Sequence, residues 1–443
     1  MTKKTALWLA LAVLGGCGLP PEPIMIVDLE KADRRFEAPS KPTERPPATE
    51  VLKKDSLTIV DVLMVADAMN PILAAERKNI DLASASIWEA KLYPNPSALL
   101  AVEDYKTKEG FGSSKRTAGI GIPVVLGGRI GSATSLAEKE RELAAVNYVW
   151  RRREILTDVK RAFAGVLASR RNKDLTQETR DLAKAFHDVT SERFKAQAIP
   201  QMELLKAQVQ LAKANSDLRL AEKDVDVSLK ALYALMGNTD LQGTNIVGTL
   251  HAKFTGPDLD ELRNLALAQH PLLESARRAK EAAELNLSLA KAERIPDVSF
   301  DVRGGVDGDR DSIIEAGLTV PLPLFNRNQA KIASAEIRIR QSEDRLQAIR
   351  NDLVLRLTEA HRNFSAGQDR VASYLDEILP RAQKAYEQTN DGYRQGKYSY
   401  LDVLDSQRTL ADAKIAYSAA LADLNFAAIE MEKLAGGKFV PAE

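Results

Sequence analysis

The spacing of hydrophobic positions changes along the chain in a fixed order, and that order occurs twice. A helical stretch over about 57–92 is followed by two short alternating segments and a very long helical stretch over about 130–195. The second round has a helical stretch over about 258–294, two alternating segments and a long helix over about 328–391. Apolar residues recur every 3–4 positions in amphipathic helices and every second position in half-buried strands, so we predict helices joined through hairpins.

The repetition extends to individual residues. Segment 193–237 aligns without a gap on 392–436 at an offset of 199, and segment 119–129 aligns on 317–327 at an offset of 198. The chain therefore contains two copies of a unit of about 200 residues. The predicted segments are a first repeat (56–240, with a hairpin at 97–125), a linker (241–257), a second repeat (258–437, with a hairpin at 298–320) and a C-terminal tail (438–443).

Each hairpin has one apolar face and one polar or small face, and the parity is the same in both copies. A membrane barrel with a wet lumen requires this combination. Four strands cannot close alone, because edge strands in lipid leave backbone groups unpaired, so closure requires several chains. Polar loops over 104–116 and 304–311 join the strands, and Thr117 and Glu315 are predicted to line the lumen. The apolar set is Ala98, Leu100, Val102, Ala118, Ile120, Ile122, Val124, Phe300, Val302, Ile314, Ala316, Leu318 and Val320.

After each long helix, a returning helix keeps a sustained 3.5-residue period. Apolar and small positions alternate at spacings of 3 and 4 from Leu204 to Leu235 and again from Val403 to Leu434. This period predicts coiled coils, and alternation of large side chains with Ala or Ser lets two helices approach closely. A long helix of about 64 residues would extend about 96 Å, so we predict a mainly α-helical, elongated protein.

The N-terminus has the features of a secretion signal. Lys3 and Lys4 precede a short apolar run that ends at Leu14-Gly15-Gly16-Cys17. This ending resembles the bacterial lipobox, which predicts a signal peptide over 1–16 and lipidation of Cys17. Seven prolines fall within 18–55, so we predict that 17–55 is an extended, lipid-anchored segment.

Composition excludes several classes of function. The 62 basic and 62 acidic residues cancel, so the chain does not have the basic balance of a nucleic-acid-binding protein. One cysteine and four scattered histidines form neither a zinc site nor a disulfide framework. The sequence contains no P-loop and no nucleophile elbow, so we predict no enzyme activity, no cofactor and no bound metal.

Three motifs carry a resemblance to a known family. They are the helix entries Pro-x-x-Leu-Gly-Gly-Arg (123–129) and Pro-Leu-Pro-Leu-Phe-Asn-Arg-Asn-Gln (321–329), and the turn that begins Tyr393-x-x-Gly396. With the lipobox, they resemble the TolC-like outer-membrane efflux factors, closest to the heavy-metal branch of CzcC and CusC. The resemblance implies a homotrimer, with a 12-stranded barrel in the outer membrane and a periplasmic helical tunnel. It also implies docking through a periplasmic adaptor protein to an inner-membrane RND-type pump, and passive export of heavy-metal cations.

The resemblance also assigns roles at the periplasmic end. The family positions that form an aspartate ring at the periplasmic gate match Asp402 and Asp405, and those that help to latch the coils match Tyr393 and Glu203. The family's latch arginine falls on Tyr398, so one ionic contact is missing. Ser399 and Asp402 also fit a capping-box pattern, which leaves a purely structural role open for Asp402.

We expect the adaptor to dock at the turns over 194–203 and 393–402, because these ends are farthest from the hairpins. The predicted docking residues are Phe194, Gln197 and Gly396, with Gln197 at the position where the family has a glycine in the first turn. Two other functions stay open from the sequence. One is a duct for multidrug efflux or type I protein secretion, and the other is a lipid-anchored periplasmic coiled-coil scaffold.

Overall fold

A computed structural model describes residues 48–105, 107, 114–237, 245–255, 258–395, 397–435 and 440–441. The predicted signal peptide, Cys17 and Gly396 lie outside the described residues. A short helix, α1 (Ala48–Val51), lies within the segment over 17–55 that the sequence predicts to be extended. The first repeat contains β1 (Ser56–Leu57), α2 (Ile59–Met69), α3 (Pro71–Lys91), β2 (Ser97–Glu103), β3 (Lys115–Val124), α4 (Arg129–Lys195) and α5 (Gln201–Leu235). Next come β4 (Asn245–Ile246), β5 (Phe254–Thr255), α6 (Leu259–Gln269), α7 (Pro271–Ala292), β6 (Val298–Val306), β7 (Ser312–Thr319), α8 (Gln329–Ser373), a π-turn (Tyr374–Ile378), α9 (Leu379–Arg394), α10 (Tyr400–Ala435) and β8 (Val440–Pro441).

The first helical stretch of each repeat is two helices and not one, which corrects the prediction over 57–92 and 258–294. In the first repeat the break falls at Asn70, whose Oδ1 accepts hydrogen bonds from the backbone N–H groups of Ile72 and Leu73 at 2.9 and 3.1 Å. In the second repeat it falls at His270, whose Nδ1 accepts from Leu272. Each break is followed by a proline that begins the next helix. Proline has no N–H to donate to the preceding turn, so the first helix cannot continue through it, but it is well accommodated at the start of the second helix.

The two predicted hairpins form a single antiparallel sheet in the order β2-β3-β6-β7. Ala98 pairs with Ile120, Ile120 pairs with Val302, and Phe300 pairs with Leu318, so the predicted apolar set shares one face. This face is open, since Leu100 is 84% exposed. The predicted parity is therefore confirmed. The second hairpin has the predicted extent, but its loop is shorter than expected, because β6 continues to Val306.

The opposite face of the sheet is polar. Lys115 contacts Glu103 at 3.2 Å and Glu315 at 2.5 Å, which joins β3 to both β2 and β7. Thr117 lies on this polar face, as the parity predicts, but it is only 6% exposed. It lies opposite Ala101 and Gly305 on the neighbouring strands. An open position on the polar face is Thr319, at the end of β7.

The long helices pair with the returning helices as predicted. From the start of α5 to Ala221 the buried coil positions are the alanines Ala207, Ala214 and Ala221, while the leucines between them are partly buried; near the end of the helix Leu232 is buried as well. Small side chains thus mark the line of closest approach between α5 and α4. The two repeats are joined where α10 packs against α4, with Lys160 to Glu432 at 2.6 Å and Lys414 to Glu178 at 2.7 Å.

The second long helix covers the predicted range over about 328–391, but it contains a π-turn at Tyr374–Ile378. At its π-turn the N–H of Leu379 donates to the carbonyl of Tyr374, five residues earlier. The next residue is Pro380, which cannot donate a hydrogen bond within the helix. Among the described residues, no helix is both long and apolar enough to cross a membrane.

Candidate functional site

The two turns between long and returning helices lie at the end of the coils that is far from the sheet, because the 67 residues of α4 extend about 100 Å. In the first turn, Ala198 N–H donates to the carbonyl of Arg193 at 2.9 Å, and Gln197 has φ +58°. In the second turn, Lys397 N–H donates to the carbonyl of Gly392 at 2.7 Å. Both are the six-to-one hydrogen bond of a Schellman motif, so the two turns share one design.

Gln197 therefore occupies the left-handed position that glycine fills most easily. A side chain there costs roughly 1 kcal/mol, because Cβ approaches the following carbonyl oxygen. The turn nevertheless forms its Schellman bond, so replacement of the family's glycine leaves the hydrogen bonding of the tip intact. Phe194, in the last turn of α4, is exposed.

Asp402 forms a capping box with Ser399 at the start of α10. The Ser399 backbone N–H and hydroxyl both donate to Asp402 Oδ2, at 2.8 and 2.7 Å, and Asp402 N–H donates to Ser399 Oγ at 3.3 Å. The hydrogen bonds from the Ser399 side chain and backbone lower the pKa of the Asp402 carboxyl. Asp402 thus has the capping role left open by the sequence, and it is anionic at neutral pH.

Asp405 lies exposed on α10, three residues beyond the capping carboxylate. It is too far into the helix to cap it, and it does not take part in the Ser399 hydrogen bonds. Glu203 lies partly buried in the first turn of α5, in the other repeat. The described residues show no hydrogen bond between Glu203 and Tyr393, so one chain alone does not form the expected latch.

Within one chain, Tyr393 pairs instead with Arg193. The Arg193 guanidinium donates to the Tyr393 hydroxyl and lies 5.2 Å from the centre of its ring, and Phe186 packs on the same ring at 6.5 Å. This contact joins α9 to α4 close to the tip. Arg193 was not identified from the sequence. The residue lies in the last turn of α4, directly before Phe194, and Phe194 aligns with Tyr393 in the repeat.

Tyr398, at the position of the family's latch arginine, packs beside the second turn. A Cβ placed on Gly392 would lie 2.2 Å from the Tyr398 ring, so the ring occupies the space that the glycine leaves open. Tyr398 is thus a packing residue of its own turn. The ionic contact expected of an arginine at this position has no counterpart here.

Two acidic side chains lie at the end of the coils that is far from the sheet. Asp402 and Asp405 are exposed on successive turns of one helix, and a lowered pKa keeps Asp402 charged. Exposed carboxylates at a pore mouth attract cations and repel anions. Basic residues, among them Arg193, Lys195 and Lys397, lie at the same turns, so the acidic pair does not by itself set the charge of this end.

Comparisons with known proteins agree with this architecture. The sequence profile described as Outer membrane efflux protein matches residues 62–238 and 262–437. Cobalt-zinc-cadmium resistance protein CzcC of Cupriavidus metallidurans is 30% identical over 382 residues, which cover 86% of this chain and 90% of that protein. Cation efflux system protein CusC of Escherichia coli K12 is 29% identical over 244 residues, 51% of this chain and 47% of CusC.

A solved structure shares the fold. The crystal structure of the outer membrane protein VceC from Vibrio cholerae superposes with a TM-score of 0.69 at 17% identity, covering 86% of this chain and 96% of that one. The predicted fold class and the resemblance to TolC-like efflux factors are confirmed. The chain therefore belongs to the outer membrane efflux protein family, and it is an efflux channel of the outer membrane that extends into the periplasm and not an enzyme.

Proposed function

We propose that this protein is the outer-membrane conduit of a tripartite system that exports heavy-metal cations. Three copies close a 12-stranded barrel, and their coils form a tunnel through the periplasm. A periplasmic adaptor connects the tunnel to an inner-membrane RND-type pump, which supplies the energy. The observation that carries the proposal is the 30% identity to CzcC along 86% of the chain.

The sheet supports the closed barrel. Its apolar face is exposed along all four strands, and its other face carries Lys115, Glu103 and Glu315. Burial of an apolar strand face in lipid is favourable only if every backbone N–H and C=O is paired. Four strands leave two edges open, so further copies of the sheet must complete the ring.

The periplasmic end supports a cationic cargo. Asp402 and Asp405 of each chain would form a ring of about six carboxylates around one mouth under threefold symmetry, and acidic rings favour cations. Tyr393 and Glu203 belong to the proposed gate, as contacts that hold the coils closed. Cys17 carries the proposed lipid anchor, which adds membrane affinity to that of the barrel.

Metal resistance tests the cargo. A strain that lacks the gene is complemented with the wild-type chain, and growth is measured in cobalt, zinc and cadmium salts and in a panel of hydrophobic drugs. We expect restored growth in the metals, with lower cell-associated metal by mass spectrometry, and no change with the drugs. Restored drug tolerance without metal tolerance would favour the multidrug duct.

The gate has its own test, with a matched control. Asp402→Asn combined with Asp405→Asn should reduce the cation selectivity of single channels in planar bilayers and weaken block by divalent cations. Asp226→Asn removes an exposed carboxylate of α5 that binds Lys230 at 2.7 Å, and it should leave selectivity unchanged. Unchanged selectivity in the double variant would limit Asp402 to its capping role.

Docking of the adaptor is tested at the first turn. Phe194→Ala should reduce crosslinking to the adaptor, because it removes an exposed apolar side chain at the tip. Leu220→Ala removes an exposed apolar side chain about 28 Å along α5 and should not affect crosslinking. Equal crosslinking by both variants would place the adaptor elsewhere.

A further inference from the structure

Within the described sheet, two charged side chains of β6 take no part in the ion pairs of the polar face. They are Asp301 and Arg303, and the described residues show no hydrogen bond or ion pair of either side chain. Glu315 lies directly opposite Arg303 on β7, but it is bound by Lys115 at 2.5 Å. Lys115 also binds Glu103, so the other charged side chains of the four strands on this face are paired with one another.

The Asp301 carboxylate lies across the sheet between two glycines. Asp301 pairs with Gly121 of β3 on one side and with Gly317 of β7 on the other. A Cβ placed on Gly317 would lie 2.8 Å from Asp301 Oδ2, and a Cβ placed on Gly121 would lie 3.4 Å from Oδ1. Each carboxylate oxygen thus occupies space that a glycine leaves open. The side chain is partly buried because it lies against the sheet.

Arg303 uses a third glycine in the same way. It pairs with Gly119 of β3, and a Cβ placed there would lie 2.7 Å from Arg303 Cγ. Asp301 and Arg303 are two residues apart on one strand, which is a rise of about 7 Å. β6 begins at Val298, shortly after α7, so Asp301 lies on the side of the helices and Arg303 lies nearer to the hairpin loop.

We propose that Asp301 and Arg303 determine the ion selectivity of the barrel lumen. In the direction of export, a cation that leaves the tunnel meets the Asp301 carboxylate first and the Arg303 guanidinium about 7 Å farther on. The carboxylate attracts the cation, and the guanidinium shortens its stay. The inference rests on the proposed conduit and its cationic cargo, and it adds a place within the barrel at which ions are selected.

The opposite charges meet two requirements of conduction. An ion must bind favourably enough to enter a pore and weakly enough to leave it. Within the four strands, the polar face carries three carboxylates (Glu103, Asp301 and Glu315) and two cationic groups (Lys115 and Arg303), so its net charge is −1 per chain. Removal of the Asp301 charge leaves this face neutral, and removal of the Arg303 charge doubles its negative charge. The two residues should therefore affect selectivity in opposite directions.

Single-channel recording in planar bilayers tests both charges. Asp301→Asn should lower the preference for potassium over chloride. It should also raise the cadmium concentration that half-blocks the channel by about threefold, the effect of one unit charge at about 7 Å in water. Arg303→Gln should shift both quantities in the opposite direction. Cadmium is added on the side of the hairpin loops, which separates this site from Asp402 and Asp405 at the far end of the coils.

Two further variants control for charge and for fold. Arg303→Lys keeps the positive charge and should keep the selectivity of the wild type. Arg116→Gln removes a positive charge of β3 on the opposite face, where Arg116 pairs with Val102 and Val306, and it should leave selectivity unchanged. Native gels establish that each variant assembles like the wild type. If Asp301→Asn does not assemble, the comparison of Arg303→Gln with Arg303→Lys carries the test.

The glycine beside Asp301 provides a second measurement. Gly317→Ala places a methyl group 2.8 Å from Asp301 Oδ2, so the carboxylate must move away from the sheet toward the lumen, and conductance should fall. Gly304→Ala is the matched control on the apolar face, since its nearest contact would lie at 3.9 Å. It should leave conductance unchanged. Equal conductance of the two variants would contradict the position of the carboxylate against the wall.

The outcomes separate this inference from the proposed conduit. A conducting wild-type channel whose selectivity and cadmium block do not respond to Asp301→Asn or Arg303→Gln would overturn the inference and leave the conduit standing. Shifts of both variants in one direction would do the same. A wild-type chain that forms no conducting channel would overturn the conduit and this inference with it. Opposite shifts, with unchanged behaviour of Arg116→Gln, support the inference.

Discussion

Arg193 of the first repeat and Tyr393 of the second hold the two coils together next to the tip. The guanidinium donates to the hydroxyl and covers the ring from 5.2 Å, so a single arginine makes both a hydrogen bond and a cation–π contact. Farther along the same boundary, Arg171 lies 5.3 Å from the ring of Tyr417. Farther still, Arg161 lies 5.2 Å from the ring of Phe426, so similar chemistry occurs at three levels between the repeats, and the contact at the tip lies closest to the proposed gate.

Loss of the Arg193 contact should loosen the closed tip. Arg193→Ala and Tyr393→Phe should each raise the conductance of single channels in planar bilayers. The conductance of the double variant should be close to that of the single variants, because each substitution removes the same hydrogen bond. Arg171→Ala is the matched control, since it removes a cation–π contact away from the tip. It should lower the melting temperature and leave conductance unchanged, and an equal rise in conductance would argue against a role specific to the tip.

His270 should make stability depend on pH. Burial, with Arg153 and Lys433 nearby, lowers the pKa of His270 from 6.5 to about 3, and its Nε2 has no partner among the described residues. The folded state therefore holds the neutral ring. The stability that this ring contributes is fully present above pH 6.5 and is lost as the pH falls from 6.5 toward 3. At pH 5 the loss is at most about 2 kcal/mol.

His270→Asn tests this prediction, because Asn70 caps the equivalent helix with an uncharged side chain. The variant should show a smaller difference in melting temperature between pH 7.5 and pH 5 than the wild type, measured by circular dichroism. Asn70 also donates to the carbonyl of Leu235 at 2.7 Å, so the variant can supply a donor as well as an acceptor. Identical pH dependence of the two proteins would show that His270 does not set it.

Gln197→Gly should stabilise the protein by up to about 1 kcal/mol, because glycine adopts the left-handed conformation at the first turn without a Cβ contact. Gln208→Gly, on the exposed face of α5, should cost about 1 kcal/mol, since glycine is unfavourable within a helix. Chemical denaturation of both variants measures whether each substitution raises or lowers the free energy of unfolding. A destabilising effect of Gln197→Gly would mean that the glutamine side chain makes a favourable contact at the tip.

The faces of the sheet give opposite predictions for arginine. Ile120→Arg places a charge on the apolar face, which costs roughly 2–4 kcal/mol near the middle of a bilayer. Thr319→Arg places the same charge at an open position of the polar face and should be tolerated. Native gels of membrane extracts should show less assembled protein only for Ile120→Arg, and equal losses would contradict the assignment of the faces.

Much of the fold follows from the spacing of apolar residues along the chain. A two-residue period shows which face of a strand is apolar, and a 3.5-residue period shows which side of a helix packs in a coiled coil. The apolar set on the sheet was predictable residue by residue, from Leu100 to Leu318. The breaks at Asn70 and His270 were missed although Pro71 and Pro271 indicate them, because the apolar pattern continues across each break. The buried state of Thr117 depends on neighbouring strands, which a single strand pattern does not contain.

The candidate site was less predictable than the fold. The acidic pair was located through resemblance, and the capping box of Asp402 through its spacing from Ser399. Arg193 was missed because its partner, Tyr393, lies 200 residues away on another helix, and local spacing carries no signal for a contact of that range. Within one chain, the described residues also show no contact between Glu203 and Tyr393 of the kind that the resemblance implies.

The π-turn at Tyr374–Ile378 explains how the second long helix, which is one residue longer than the first, keeps the same packing against its returning helix. The offset between the repeats is 198 before the long helices and 199 after them, so the second long helix carries one additional residue. In an unbroken α-helix, one extra residue would rotate everything after it by about 100° and turn the apolar side of α9 away from α10. A π-turn takes up a single residue locally. Insertions of one residue can therefore accumulate during evolution in one half of the coiled wall without altering how the helices mesh in the other half.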